Sequence, residues 1–195
     1  MVLEKEHCLD LLEISGSLIS ARSLPTILQT IVKYAAEATN AKASSIRLLD
    51  ETGEILKRAA AYGLSDAYLK KDPVEIERSP IDQKVLQGEV VTITDVTGDP
   101  RWRYPEEAKR EGIVSVMAAP MFIKNKTIGV LRVYTAEPHI FPDEEKELLK
   151  AIARHTAVAI ENARLYELAV KNYDELVQEV WRGLPDVWST VTGAA

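Results

Sequence analysis

Cysteine and histidine are scarce in this sequence of 195 residues. The single cysteine, Cys8, cannot form an internal disulfide, and His7, His139 and His155 are too dispersed to make a recognisable metal motif. One cysteine fits a reducing compartment. We therefore expect no cysteine-rich metal site, and we predict a cytoplasmic protein.

Basic stretches, glycine-rich loops and long apolar runs are also missing. The net charge is -6 with acidic and basic residues interspersed, so no basic stripe could neutralise a nucleic-acid backbone. The segments AYGLS and TGDPR lack the glycine spacing of a phosphate-binding loop, and no serine stands in a nucleophile elbow. No apolar run is long enough to span a bilayer. We expect neither a nucleic-acid partner nor a membrane partner, and no hydrolase chemistry.

Apolar residues at helical spacing predict three main helices. The stripes at 8–19 and 24–36 indicate two amphipathic helices, and a third begins after Pro142 and continues without glycine or proline to Gly183. The third helix could reach roughly 60 Å, which is longer than a compact domain needs. We predict an N-terminal dimerisation helix over 1–22, one globular domain over 23–167, and a helical extension with a tail over 168–195.

Strands are predicted between these helices. ASSIRLLD and GEILKRAAAYG flank the turn at 51–53, VSVMAAPMFI and TIGVLRVYT flank the turn at 124–126, and VVTIT follows a short helical segment, IDQKVLQG. The charge-rich stretch 98–111 contains a second short helix over 105–111, with acidic residues at its start and basic residues at its end. The pattern predicts an α+β fold.

The order and spacing of these segments resemble a GAF domain. The resemblance covers about residues 24–166 and rests on AYGL at 61–64, ITD at 93–95, DPR at 99–101, EGIVSVMAAP at 111–120, IGVLRVY at 128–134 and AIENARLYE at 159–167. It implies a central antiparallel sheet of five to six strands, with helices on one face and short helices and loops over the other. It also implies that the first and last strands are neighbours, and that ligands lie between the sheet and the segments from about 62 to 112. The stretch 98–111 would then be a wall of that pocket.

Three branches of this family are disfavoured by the residues present. Asp143 and Glu144 follow Phe141 too closely for the cyclic-nucleotide signature, and Cys8 lies outside the domain, where it could not attach a bilin. Reduction of free methionine sulfoxide needs pocket cysteines, which this domain lacks. We predict a non-enzymatic sensor or regulatory domain that binds a small molecule and acts on a separate signalling protein. The alternative is a dimerisation or scaffold module without a ligand; the sequence identifies neither a ligand nor a cofactor.

Two arginines indicate the chemistry of the predicted ligand. Arg47 and Arg132 interrupt the apolar pattern of two strands that the resemblance makes neighbours, so both could point into one pocket and bind an anion. Ser115 and Met117, on the adjoining strand, would complete the wall. The alternative is that the arginine heads pair with acidic residues, for which Asp50, Glu54 and Asp95 are candidates.

Aromatic residues and terminal helices complete the predictions. Tyr62 and Trp102 are placed at the pocket rim, where an aromatic ring offers a stacking face and a hydrogen-bond donor; core packing is the alternative. The stripes at 8–19 and 148–163 from two chains are predicted to share an apolar core in a homodimer. The alternative is that both helices pack on their own sheet.

Overall fold

The computed structural model describes residues 23–70 and 73–183, in two compact units that divide between residues 159 and 160. The first unit contains helices α1 to α4, strands β1 to β6, and the first part of helix α5, which continues into the second unit. In chain order the elements are α1 (Leu24–Ala38), β1 (Ala43–Leu49), β2 (Ile55–Tyr62), α2 (Asp66–Leu69), β3 (Val74–Glu75), α3 (Pro80–Leu86), β4 (Val91–Ile93), α4 (Pro105–Glu111), β5 (Ser115–Ile123), β6 (Lys126–Thr135) and α5 (Asp143–Gly183).

The six strands form one antiparallel sheet in the order β3-β2-β1-β6-β5-β4. The first and last long strands, β1 and β6, are neighbours, and Arg47 lies opposite Val130 while Arg132 lies opposite Ser45. The predicted α+β fold with a central antiparallel sheet is therefore confirmed. Sequence analysis did not anticipate β3 or α2, because elements of two and four residues are too short to show a period.

Helix α1 covers one face of the sheet. Its predicted stripe is buried at Ile27, Leu28, Ile31, Val32, Ala35 and Ala36. The Ser44 hydroxyl donates to the carbonyl oxygen of Val32, and Gln29 Nε2 donates to the carbonyl oxygen of Ala61 at 2.9 Å. Ser44 and its alternating neighbours in β1 therefore face α1, because alternate residues of a strand point to the same side.

The opposite face of the sheet carries a separate apolar cluster and the candidate site. Residues of β1, β5 and β6 that contribute to the cluster are Ala43, Val116, Ala118, Val130 and Tyr134. Alternation in β1 and β6 places Arg47 and Arg132 on this face. Ile46, Met117 and Leu131 occupy the alternate positions of their strands and therefore lie on the face towards α1.

Helix α5 contributes differently to the two units. In the first unit its residues Leu149, Ile152, Ala153, Ala157 and Ala159 are buried within the chain. In the second unit, residues 160–183 form a regular helix with many large apolar side chains exposed. Ile152 and Ala159 of the predicted 148–163 stripe are therefore covered within the chain, and the shared apolar core of a dimer stays a prediction.

Several predictions concern residues that the structure does not describe. The predicted helix at 8–19, including Cys8, and the tail beyond 183 lie outside the described residues. The predicted domain ranges 1–22, 23–167 and 168–195 stay predictions. Within 23–70 and 73–183, no helix is long and apolar enough to cross a membrane.

Candidate functional site

A small cavity lies between the sheet and the segments that follow β2 and β4. Its volume is about 30 Å³, which is room for about two water molecules. Arg47, Arg132 and Tyr134 line it from β1 and β6, and the covering segments contribute Tyr68, Val74, Ser79, Ile81, Asp82, Arg101, Trp102, Arg103 and Tyr104. The residues 101–104 of the charge-rich stretch thus form one wall.

The cavity wall contains a buried ion pair between β6 and α3. Arg132 Nη2 donates to Asp82 Oδ1, and the side chains are 7% and 0% exposed. Ser79 Oγ donates to the second carboxylate oxygen of Asp82 at 2.6 Å. Burial by itself lowers the pKa of Arg132, but the charge and hydrogen bond of Asp82 together with the neighbouring Tyr134 raise the pKa above its ordinary value. Arg132 is therefore a permanent cation in the cavity wall.

The Nε donor of the Arg132 guanidinium group is not used by this ion pair. Arg132 Nε is buried and has no hydrogen-bond partner among the described residues. The Trp102 ring lies beside the guanidinium group, with its centroid 6.0 Å from Arg132 Cζ. Since an unpaired buried donor is costly, Nε is a point at which an added acceptor would stabilise the protein.

The lining residues carry more positive than negative charge. They include four arginines, at 47, 101, 103 and 132, and one carboxylate, Asp82. Arg101 is paired outside this set, with Asp99, at 2.5 Å between Nη2 and Oδ2. Arg103 lies over the Tyr104 ring at 5.1 Å. The excess of cations gives the cavity an electrostatic preference for anions.

Two tyrosines form the apolar and hydrogen-bonding part of the wall. The hydroxyls of Tyr134 and Ser45 are hydrogen-bonded at 2.9 Å, and the rings of Tyr68 and Tyr134 meet edge to face with centroids 6.4 Å apart. Burial, together with the neighbouring Tyr134, raises the pKa of Tyr68 above its ordinary value of 10.0. Tyr68 is therefore neutral at physiological pH and can act as a hydrogen-bond donor.

Three of the six predicted site residues come together at the cavity. Arg47 and Arg132 are 8% and 6% exposed, and Trp102 is 8% exposed and belongs to the apolar cluster. Trp102 is thus a buried wall residue and not an exposed rim residue; its indole Nε1 donates to the Tyr104 carbonyl at 3.2 Å. Ligand binding by these residues stays a prediction.

The other three predicted residues lie away from the cavity, for reasons of strand register. Tyr62 is paired with Ser44, so it shares the face towards α1. Ala118 is paired with Arg132, which puts Ala118 on the cavity face and its neighbour Met117 on the face towards α1. Ser115 lies two residues before Met117 and therefore on the same face. Its hydroxyl is hydrogen-bonded at the end of the strand, where it donates to the Thr94 carbonyl at 2.6 Å and accepts from His139 N at 2.8 Å. Ser115 and Met117 therefore do not complete the cavity wall.

The acidic partner of Arg132 is none of the three candidates. Asp50 and Asp95 accept hydrogen bonds in their own turns, from Thr52 and Thr97. Sequence analysis missed Asp82 because an acid in the first turn of a helix has a local explanation. Sequence analysis could have found Tyr134, since it lies two residues after Arg132 in β6 and therefore on the same face of the sheet.

Comparisons with known proteins identify the class of this fold. Residues 21–161 match the family model described as the GAF domain. No curated protein matches the chain at a significant level. The chain belongs to the GAF domain family.

Solved structures show the same fold. The GAF domain of a phosphoenolpyruvate-protein phosphotransferase from Coxiella burnetii has a TM-score of 0.72 at 22% identity, covering 83% of this chain and 96% of that one. The GAF domain of the corresponding Acinetobacter protein has a TM-score of 0.67 at 24% identity, with coverages of 80% and 92%. The free methionine-R-sulfoxide reductase of Neisseria meningitidis, in complex with its substrate, has a TM-score of 0.65 at 18% identity, with coverages of 80% and 89%. GAF domains are generally regulatory modules, found in sensor and signalling proteins.

Proposed function

We propose that this GAF domain is a sensor that binds a small anionic molecule at the cavity between β6, α3 and the segment 99–104. The observation that carries the proposal is the buried Arg132, whose Nε has no hydrogen-bond partner among the described residues while its charge is permanent. An arginine fork suits a carboxylate or a phosphate group, because its parallel N–H donors match two oxygens.

The composition of the wall supports this ligand class. Arg47 lines the same cavity from the neighbouring strand, so a bound anion would face two guanidinium groups. The rings of Trp102 and Tyr68 offer apolar contact to the remainder of a ligand. The volume of about 30 Å³ is below that of a typical ligand pocket. An organic acid larger than the cavity would extend beyond it or displace the covering segments.

A calorimetric screen of organic acids and phosphates tests the proposal. We expect at least one anion to bind the wild type, and Arg132→Lys to weaken it by about 10-fold or more, because lysine keeps the cation beside Asp82 but loses the planar fork. Arg132→Met should abolish the binding, and circular dichroism must show that this variant is folded, since it leaves Asp82 unpaired.

Arg110→Met is the matched control. Arg110 lies on α4 with its side chain 76% exposed, and it does not line the cavity. Like Arg132→Met, the Arg110→Met substitution removes one positive charge, but it does so at an exposed position, so anion affinity should hardly change. Equal losses for Arg110→Met and Arg132→Met, or no anion binding to the wild type, would refute the proposal.

We further propose that the domain is not an enzyme. Reduction of methionine sulfoxide requires a thiolate, and Cys8 is the only cysteine of the sequence. The described cavity lining contains no cysteine. Incubation of the protein with free methionine sulfoxide and a dithiol reductant should give no methionine above the level without protein.

The second candidate function is a dimerisation module without a ligand. The small cavity volume of about 30 Å³ favours it, because this is well below the volume of a typical ligand pocket. Native mass spectrometry of freshly purified protein separates the two candidates. A retained small molecule adds a discrete mass, and a filled core adds none.

The output of the sensor is proposed to pass through a helical homodimer. In the second unit, helix α5 exposes Leu165, Tyr166, Val170, Tyr173, Leu176 and Trp181. At about 100° per residue these six side chains occupy roughly 160° of the helix circumference. Leu168, which is also exposed, lies outside this arc. A face of this width is typical of a helix that packs against another helix, and a second copy of the chain supplies one.

A further inference from the structure

Arg132 has an unused donor on the edge that arginine presents to a carboxylate. The Nε hydrogen and one of the two Nη2 hydrogens of a guanidinium group are parallel, and together they bind two oxygens of one anion. Here Nη2 donates to Asp82, while Nε has no hydrogen-bond partner among the described residues. Asp82 therefore holds Arg132 through one donor and leaves the adjacent donor unsatisfied.

The carboxylate of Asp82 has support that does not depend on Arg132. Ser79 Oγ donates to its Oδ2 at 2.6 Å, within the same short segment of chain. Arg132, in contrast, belongs to β6 and lies 50 residues away in sequence. If the two groups separate, Asp82 keeps the Ser79 hydrogen bond, and Arg132 presents both donors to the cavity.

We propose that Asp82 occupies the position of the ligand's anionic group, and that an anion binds by replacing Asp82 on the Nε and Nη2 edge of Arg132. This inference rests on the proposed function. Asp82 is then the residue that sets affinity and selectivity. A ligand must offer two oxygens to Arg132. A ligand that accepts only one hydrogen bond would gain no binding energy over the hydrogen bond that Asp82 already makes.

Removal of the Asp82 charge should therefore strengthen anion binding. In the wild type the incoming anion must break an ion pair and lies near a buried carboxylate, and both effects oppose binding. Asp82→Asn removes both, and asparagine can still accept a hydrogen bond from Ser79. If the ion pair has only a structural role, Asp82→Asn should lose stability without gaining affinity for anions.

Titrations with acetate and inorganic phosphate at constant ionic strength test this inference. We expect Asp82→Asn to bind at least one of these probes about 10-fold more tightly than the wild type, because one close like charge has been removed. Asp99→Asn is the matched control. It also removes one negative charge beside a cavity arginine, but its partner Arg101 has a 40% exposed side chain, so the gain should be smaller.

Equal affinities of wild type and Asp82→Asn would overturn the inference and leave the proposed function standing. If neither protein binds any anion of the screen, the proposed function fails as well. Glycine provides a further discrimination, because it adds an ammonium group to the carboxylate of acetate. If glycine binds the wild type more tightly than acetate, and Asp82→Asn removes this preference, Asp82 is a ligand contact and the replacement inference is wrong.

A measurement on the wild type decides the matter if Asp82→Asn does not fold. The carbon-13 signal of the Asp82 carboxyl group and the Arg132 Nε–H signal are followed by NMR as acetate or phosphate is added. Replacement requires both signals to shift with the same saturation curve. A shift of the Nε–H signal with an unchanged Asp82 signal, or no shift of either, overturns the inference.

Discussion

Arg132 and Asp82 show how one buried pair governs the chemistry of the cavity. Both side chains are almost fully buried, so removal of one partner leaves an uncompensated charge that costs about 3–5 kcal/mol of stability. We therefore expect substitutions here to change both folding and the proposed anion binding. This coupling is the reason for choosing Arg132→Lys and Asp82→Asn, which retain the shape or the charge of the original group.

Asp50 gives a pH dependence that can be assigned to one residue. Its carboxylate accepts hydrogen bonds from Thr52 Oγ1 at 2.8 Å and from Gly53 N at 3.2 Å. The hydrogen bond from Thr52, helped by backbone N–H donors of the turn, holds the pKa of Asp50 below its ordinary value of 3.8. A depressed folded-state pKa contributes stability that is present above the ordinary value and is lost as the pH falls through the folded-state value.

We therefore expect Asp50→Ala to destabilise the β1–β2 turn at neutral pH and to have a smaller effect in acid. Urea unfolding of wild type and variant, from neutral pH to well below 3.8, measures the difference in unfolding free energy. Other carboxylates titrate in both proteins and cancel in this difference. A difference that stays constant over the whole pH range would contradict the assignment.

At the scale of elements, the β1–β6 pair determines where the two cavity arginines lie. Gly129 allows this pair to approach closely, because a Cβ at this position would overlap with the Arg47 carbonyl oxygen and lie 2.6 Å from Met121 Cε. The backbone oxygen cannot move without displacing β1. The glycine is therefore required by the spacing of the two strands that carry Arg47 and Arg132.

Gly129→Ala should lower the free energy of unfolding by about 1–3 kcal/mol, the usual cost of overpacking a well-packed site. Denaturant unfolding measures the change. Gly98→Ala is the control, because the nearest atom to its added Cβ is Asp95 Oδ2 at 4.0 Å. Equal stability of Gly129→Ala and the wild type would show that the strands can separate without cost.

At the scale of the whole molecule, the exposed apolar face of α5 predicts self-association. Leu165 and Leu176 are 55% and 59% exposed, and their removal from water in a dimer is favourable. Leu165→Glu combined with Leu176→Glu places charges in the proposed interface. We expect the double variant to have half the wild-type mass in sedimentation equilibrium.

Arg164→Glu is the control for the dimer, because it changes the charge of an exposed residue about 180° from the middle of the proposed interface on the same helix. It should leave the mass unchanged. A monomeric wild type, or an unchanged mass for the double variant, would refute dimerisation through this face. The predicted contribution of residues 8–19 lies outside the described residues and is tested separately by Leu11→Asp with Leu18→Asp.

The sequence by itself determined the order of the main elements and the side of the sheet on which the two arginines lie. The apolar stripe of α1, the two hairpins and the long α5 each follow a local period, and local periods can be read without knowledge of the fold. Alternation also placed Arg47 and Arg132 correctly on one face, once the family resemblance had made their strands neighbours.

Only the tertiary structure decided which groups meet at the cavity. The register of β5 against β6 pairs Ala118 with Arg132, which turns Met117 away from the cavity, and this register depends on contacts between distant segments. Asp82 reaches Arg132 across 50 residues, and its position in a helical first turn gives no sign of a partner. A pattern along the chain shows what each element can bury, whereas the identity of a buried partner depends on how the elements pack together.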